Sequence, residues 1–136
     1  MAFDAVLIVD DSSTSRMIIQ RCIEMAGLKV GAFRFAENGL EALAMLRESA
    51  ASAKASGDAR QAISLVVTDI NMPKMDGATF IRLMRADSDM ASIPAIVVSS
   101  VASGESDAEL LSLGAAAVVK KPVSPAKMLQ AFGGLA

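Results

Sequence analysis

The sequence predicts a doubly wound α/β fold: a single five-stranded parallel sheet with helices on both faces, in (βα)5 chain order. Three observations carry this. Short apolar runs rich in β-branched residues recur five times, with the look of strands buried on both faces. Between them lie segments with apolar residues at helical spacing, bounded by Ser, Asn, Asp and Gly. The β-α alternation, five times over, calls for right-handed crossovers above and below one sheet. With 136 residues the chain can bury a single core, so one domain over 1–136 is expected.

The first strand is Ala5-Val6-Leu7-Ile8-Val9, followed at once by Asp10-Asp11. Ser12-Ser13-Thr14-Ser15 offer N-cap candidates for a helix on which Ile19, Cys22, Ile23 and Ala26 share a face, with Gly27 as its stop. Residues 30–35 make a weaker second strand, and Gly31 and Arg34 within it suggest an edge. Asn38-Gly39 breaks it, and Ala42, Leu43, Leu46 and Ala50 form the next apolar helix face. From about 48 to 62 the composition turns to Ala, Ser, Gly and charge. This predicts an extended connection, with extra helix ending near Gly57-Asp58 and then a flexible link, that has no effect on chemistry.

The third strand, 63–67, runs into Thr68-Asp69 and a loop marked by Pro73 and Asp76-Gly77. Phe80, Leu83 and Met84 give the following helical stripe. Pro94 precedes the fourth strand, Ala95-Ile96-Val97-Val98, which ends at Ser99-Ser100. Ser106-Asp107-Ala108-Glu109 matches a capping box, with Leu110 and Leu113 as an apolar face before Gly114. Ala116-Ala117-Val118-Val119 is the fifth strand, running into Lys120-Lys121-Pro122. A final helix, 125 to about 132, carries Met128, Leu129 and Phe132.

Composition excludes several classes of function. A net charge of −2 with scattered basic residues argues against a nucleic-acid partner. No apolar run approaches the roughly 18 residues of a membrane span, and Met1-Ala2-Phe3-Asp4 has no basic segment of a signal peptide. No membrane insertion is expected. A single cysteine, Cys22, rules out an internal disulfide framework, fits the cytoplasm, and reads as a small core residue. There is no histidine, which removes His-based bases and metal sites and any phosphohistidine of the chain's own.

In a parallel sheet the carboxyl ends of all strands share one rim. Asp10 and Asp11 follow strand one, Asp69 ends strand three, Ser99 strand four, and Lys120-Lys121 strand five. In the flavodoxin-like order 2-1-3-4-5, strands one and three are neighbours, so the acids would be adjacent. Each residue alone has an ordinary explanation, since polar residues often end strands and aspartate forms turns. Together, three like charges repel unless a cation sits among them. Mg2+, an oxygen-loving ion held by one or two carboxylates and phosphate oxygens, is the natural cofactor. The same arrangement prepares phosphoryl transfer: a carboxylate nucleophile, cations on the phosphoryl oxygens, and a hydroxyl to hydrogen-bond one of them.

These motifs resemble those of response-regulator receiver domains of two-component signalling, the CheY-like chemotaxis type, over essentially the whole chain. The resemblance rests on the acid pair after strand one, Asp-x-Asn-Met-Pro-x-Met-Asp-Gly from Asp69 to Gly77, the hydroxyl after strand four, and Lys121-Pro122. It implies that Asp69 is the phosphoacceptor, that Asp10 and Asp11 hold Mg2+ together with Asp69, and that Asn71 adds its backbone carbonyl. Ser99 matches the hydroxyl that turns towards the phosphoryl group. Lys121, not Lys120, matches the family lysine, because it immediately precedes Pro122, and the Lys121–Pro122 bond is expected to be cis. The phosphodonor would be a histidine kinase or histidine phosphotransfer protein, and the output a change in binding to an unspecified downstream protein. No output domain follows the last helix, which suggests a stand-alone chemotaxis or phosphorelay regulator.

The chain departs from the family pattern in places. Val118 stands where many receivers carry an aromatic switch residue, and there is no tyrosine or tryptophan. The signal is therefore expected to pass through Ser99 and residues 100–104. The face of helix four, strand five and helix five is expected to be largely Ala and Val. Asn71 and Val101 occupy positions that influence loss of the phosphoryl group; Asn71 could orient a water and Val101 could not. Two other readings compete. A Mg2+-dependent phosphatase of the haloacid-dehalogenase class would need an acid where Asn71 stands, and a cap. A pseudo-receiver scaffold would not need Asp10, Asp11, Asp69, Ser99 and Lys121 together.

Overall fold

The computed structural model describes residues 2–58, 62–100, 104 and 106–135. Five strands and five helices alternate: β1 (Ala2–Val9), α1 (Ser13–Met25), β2 (Lys29–Ala36), α2 (Gly39–Ser56), β3 (Ile63–Asp69), α3 (Gly77–Ala86), β4 (Ala95–Ser99), α4 (Asp107–Leu113), β5 (Ala117–Lys120) and α5 (Pro125–Gly133). The strands pair in parallel in the order β2-β1-β3-β4-β5, the doubly wound order expected from the sequence.

Side-chain alternation explains why the central strands read as unbroken apolar runs. Leu7, Val9, Val66 and Val97 point to one face, where Leu43, Leu46, Phe80, Ile81, Met84 and Leu110 cover them. Val6, Ile8, Val67 and Val98 point to the other, under Ile19, Ile23, Met128 and Phe132. A strand covered on both faces has no position left for polar residues, so a polar side chain first becomes tolerable at the strand's end. β2 pairs only with β1 and is largely exposed, in keeping with an edge.

Each helix starts on a side-chain cap. Ser12, Asn38, Asp76, Ser106 and Ser124 each accept the backbone N–H three residues on, and Ser106 and Glu109 complete the expected capping box. α2 ends at Gly57 in the left-handed conformation (φ 70°), where its extra turns were expected to stop. Lys54 on the extension pairs with Asp89 of the α3–β4 connection at 2.5 Å. The flexible link expected beyond it falls on 59–61, outside the described residues.

Three face assignments need correction. Leu83 and Leu129 are exposed, and Ile81 and Ala131 take the inward positions instead. Both leucines sit one residue from a buried methionine, about 100° round the helix, so each falls at the edge of its stripe. On α2 the residue that goes inward is Ser49, while Ala50 is only half-buried.

Ser49 is buried for a reason. β1 and β3 slip register between Ala5/Val6, so that Ala5 pairs with Ile63 but Val6 with Leu65. At this irregularity the Ile63 N–H turns away to donate to Ser49 Oγ at 2.9 Å. Ser49→Ala should therefore leave a buried amide unpaired and cost about 1–2 kcal/mol in urea unfolding, with the slope of the transition unchanged. A stability equal to wild type would mean the amide finds another acceptor.

Candidate functional site

The register of the sheet brings the polar strand ends together. Val9 pairs with Thr68, Asp69 with Val98 and Ser99 with Lys120, so Asp10, Asp69, Ser99 and Lys121 line adjacent positions on the carboxyl rim. Asp10 is 1% exposed. Its Oδ1 accepts the Ser12 N–H at 2.9 Å, its Oδ2 accepts the Ser15 hydroxyl at 2.6 Å, and its main-chain carbonyl accepts from Arg16 Nη1 at 2.7 Å. The first turn of α1 thus fixes this residue from three sides. Asp11 is exposed beside it. One carboxylate oxygen from each of Asp10, Asp11 and Asp69 lies within 4.8 Å of the others.

Asp69 is 7% exposed. Its Oδ1 accepts the Ile70 N–H at 2.8 Å, and its Oδ2 lies 3.3 Å from Lys121 Nζ. Burial pushes the Asp69 carboxyl above the usual carboxylate range; the Ile70 N–H opposes this, the Asp10 charge adds to it, and Lys121 opposes it. Ser99 is 1% exposed, and its Oγ has no hydrogen-bond partner among the described residues. A buried hydroxyl without a partner is costly and uncommon, and it singles out this position.

The two lysines divide their work. Lys121 reaches back to Asp69, and its N–H donates to the Ser99 carbonyl at 2.7 Å. Lys120 pairs with Asp107 of α4 at 2.8 Å instead. The Lys121–Pro122 bond is cis, as the resemblance implied.

Asn71 is exposed in the loop that follows Asp69. This loop is closed by the Gly77 N–H, which donates to the Ile70 carbonyl at 2.8 Å. Lys74 within it takes a left-handed conformation, φ 68°. A Cβ on Gly77 would sit 2.3 Å from the Asp69 carbonyl oxygen and 2.9 Å from Ile70 Cα. A Cβ on Gly39 would likewise meet the Met75 side chain at 2.9 Å, so the loop rests on the start of α2. From the sequence Gly77 reads as a turn marker and the end of the Asp69–Gly77 motif, and Ser15 as a cap candidate; neither reading gives the contact that the fold shows. Nothing local distinguishes a glycine needed for close approach from one in an open turn.

Val118 is half-buried and packs against the cluster that includes Val97 and Leu110. The expected signal path over 100–104, and the position of Val101, fall mainly on 101–103, outside the described residues. Leu111 of α4 and Leu129 of α5 are both exposed.

Among the described residues the three carboxylates meet one ammonium, which pairs with Asp69 alone, and the Arg16 guanidinium reaches the main-chain carbonyl of Asp10 rather than its carboxylate. An all-oxygen donor set with uncompensated negative charge suits a hard divalent cation, and Mg2+ fits it.

Residues 6–133 match the response regulator receiver domain family. The chain belongs to this family. Receiver domains of two-component signalling are in general signalling switches rather than classical enzymes, and they take phosphoryl groups from histidine kinases. It is 39% identical over 95 residues to the sensor histidine kinase CheAY of Helicobacter pylori, covering 70% of this chain and 10% of that protein. It is 32% identical over 116 residues to the chemotaxis protein CheV3 of Helicobacter pylori, covering 85% of this chain and 36% of that one. The chain thus spans well under half of either relative. Among solved structures, the chemotaxis response regulator CheY4 of Vibrio cholerae matches with a TM-score of 0.70 at 28% identity, over 97% of this chain and 98% of that one. No helix among the described residues is long and apolar enough to cross a membrane.

Proposed function

We propose that this receiver domain is a phosphorylation-controlled binding switch whose acceptor is Asp69, and that it works in the cytoplasm with a histidine kinase or phosphotransfer protein as donor. The observation that supports the reading is the pairing of a buried, charge-stressed carboxylate with an ammonium at 3.3 Å, beside a buried hydroxyl that has no partner among the described residues. An Asp69 carboxylate oxygen forms the new O–P bond as the N–P bond to the donor's imidazole breaks, and the imidazole departs. Lys121 balances charge on the transferring group, and the Ser99 hydroxyl donates to one of its oxygens. Asp10, Asp11, Asp69 and the Asn71 carbonyl would hold Mg2+, which would supply positive charge against the phosphoryl oxygens. The switch catalyses only its own phosphorylation and dephosphorylation. Its output is a shift in population between two conformations with different affinity for a downstream protein.

The test is intact mass after incubation with phosphoramidate and Mg2+. One added phosphoryl group, blocked by chelator, is the expected result. A folded, unmodified protein would instead indicate a scaffold that has lost the chemistry. Lys121→Met, which keeps the stem and removes the ammonium, should slow uptake by roughly 100-fold, the usual scale for losing one charged stabiliser of a transferring group. Stopped aliquots read by mass would check it, and a rate within twofold of wild type would remove Lys121 from the reaction.

A further inference from the structure

We propose that Lys127 is a positioning residue for phosphoryl acceptance, acting through the segment that aims Lys121 at Asp69. The proposal rests on the function proposed above. Lys127 lies in the first turn of α5, where its own N–H is taken by the Ser124 cap at 3.1 Å. From there its Nζ reaches back to donate to the Lys120 carbonyl at 3.1 Å and the Pro122 carbonyl at 2.8 Å. These are the carbonyls on either side of Lys121. The opposite side of the segment is tied by the Lys121 N–H to the Ser99 carbonyl at 2.7 Å. Lys121 is therefore gripped between β4 and a single ammonium from α5.

The placement of Lys127 runs against local preference. A cation in the first helical turn faces the positive end of the helix dipole, which disfavours it. Two carbonyl acceptors on one ammonium offset that cost and hold a stretch that is otherwise at the rim and exposed. β5 itself is only four residues long and ends at Lys120, so the Lys121 N–H to the Ser99 carbonyl closes its ladder to β4. Direction for a long, flexible side chain has to come from its own main chain, and a displacement of about 1 Å at a reacting group can cost up to 100-fold in rate.

The experiment compares Lys127→Met and Lys127→Arg, alone and in a Lys121→Ala background. Lys127→Met is expected to slow uptake from phosphoramidate by about 3- to 10-fold at saturating Mg2+, a partial share of the loss that full misplacement brings. Lys127→Arg, which still offers donors to both carbonyls, should recover most of the rate. In the Lys121→Ala background Lys127→Met should cost nothing more. A second readout needs no phosphorylation: the side-chain ammonium of Lys121 in 15N-lysine-labelled protein. In Lys127→Met its resonance should move and its hydrogen exchange with water quicken, while the far-ultraviolet melting temperature stays close to wild type. The same fold loss with and without Lys121 would overturn the proposal, as would an unmoved Lys121 ammonium signal. If the wild-type protein takes no phosphoryl group, the proposed function fails, and the ammonium signal still decides whether Lys127 aims Lys121.

Discussion

Asp69→Asn should leave the folded chain unable to take up a phosphoryl group and, with divalent cations chelated, raise its melting temperature at pH 7. The first half follows from replacing a carboxylate nucleophile with an amide. The second half follows from the direction of the Asp69 shift. Burial and the Asp10 charge favour the neutral form, so the folded carboxyl titrates above the unfolded one. The native state then binds this proton more readily than the unfolded chain. Stability contributed by the group is complete below the unfolded pKa and is lost as pH rises through the folded pKa. At neutral pH the wild type therefore holds a charge against its surroundings, and asparagine does not. The gain should be full at neutral pH and close as the pH falls into the carboxylate range. The asparagine side-chain oxygen can still accept the Ile70 N–H, so that bond is not lost. Added Mg2+ should reverse the order, because a cation that binds the folded wild type stabilises it by mass action and binds the variant less. Thermal melts from pH 4 to 8, with chelator and with Mg2+, decide the matter; a variant no more stable than wild type at pH 7 in chelator would show that the charge is not held under stress.

Gly77→Ala is expected to cost about 2–4 kcal/mol and to impair phosphoryl acceptance in the molecules that remain folded. The new methyl would meet the Asp69 carbonyl oxygen at 2.3 Å, and that oxygen belongs to the main chain of β3 rather than to a side chain that can rotate away. It also accepts the Thr68 hydroxyl at 2.8 Å. Something must move, and what moves carries Asp69 with it. Gly57→Ala makes the useful contrast: its Cβ meets nothing within 4 Å, and the cost comes only from the left-handed backbone at φ 70°, about 1 kcal/mol. Urea unfolding of both variants separates crowding from backbone strain. A Gly77→Ala protein within 0.5 kcal/mol of wild type, with normal uptake, would mean the β3–α3 junction gives way more easily than its contacts imply.

The sheet was legible because continuous apolar runs report burial on both faces, and because Asp10, Asp69, Ser99 and Lys121 stand where those runs stop. A rim constellation of this kind follows from strand order alone. Helix faces were less legible at their margins. Leu83 and Leu129 match helical spacing almost as well as the residues that turned inward, and only packing against a particular strand separates them. Ser49 could not be read at all, since its burial depends on a register slip between two strands distant in sequence. The supports of the site were hidden for the same reason. Ser15, Arg16 and Lys127 are ordinary polar residues on helices until the fold shows which atoms of Asp10 and of the residues flanking Lys121 they hold.

A chain with neither tryptophan nor tyrosine gives little optical signal at its rim. The Ile70 amide supplies another kind. Its proton rests on Oδ1 of Asp69, the carboxylate proposed above as the phosphoryl acceptor. Protonation, a bound cation or a transferred phosphoryl group each changes the electron density on that oxygen, and the amide resonance responds to it directly. One backbone N–H is thus a built-in electrometer, wired to the acceptor without any label.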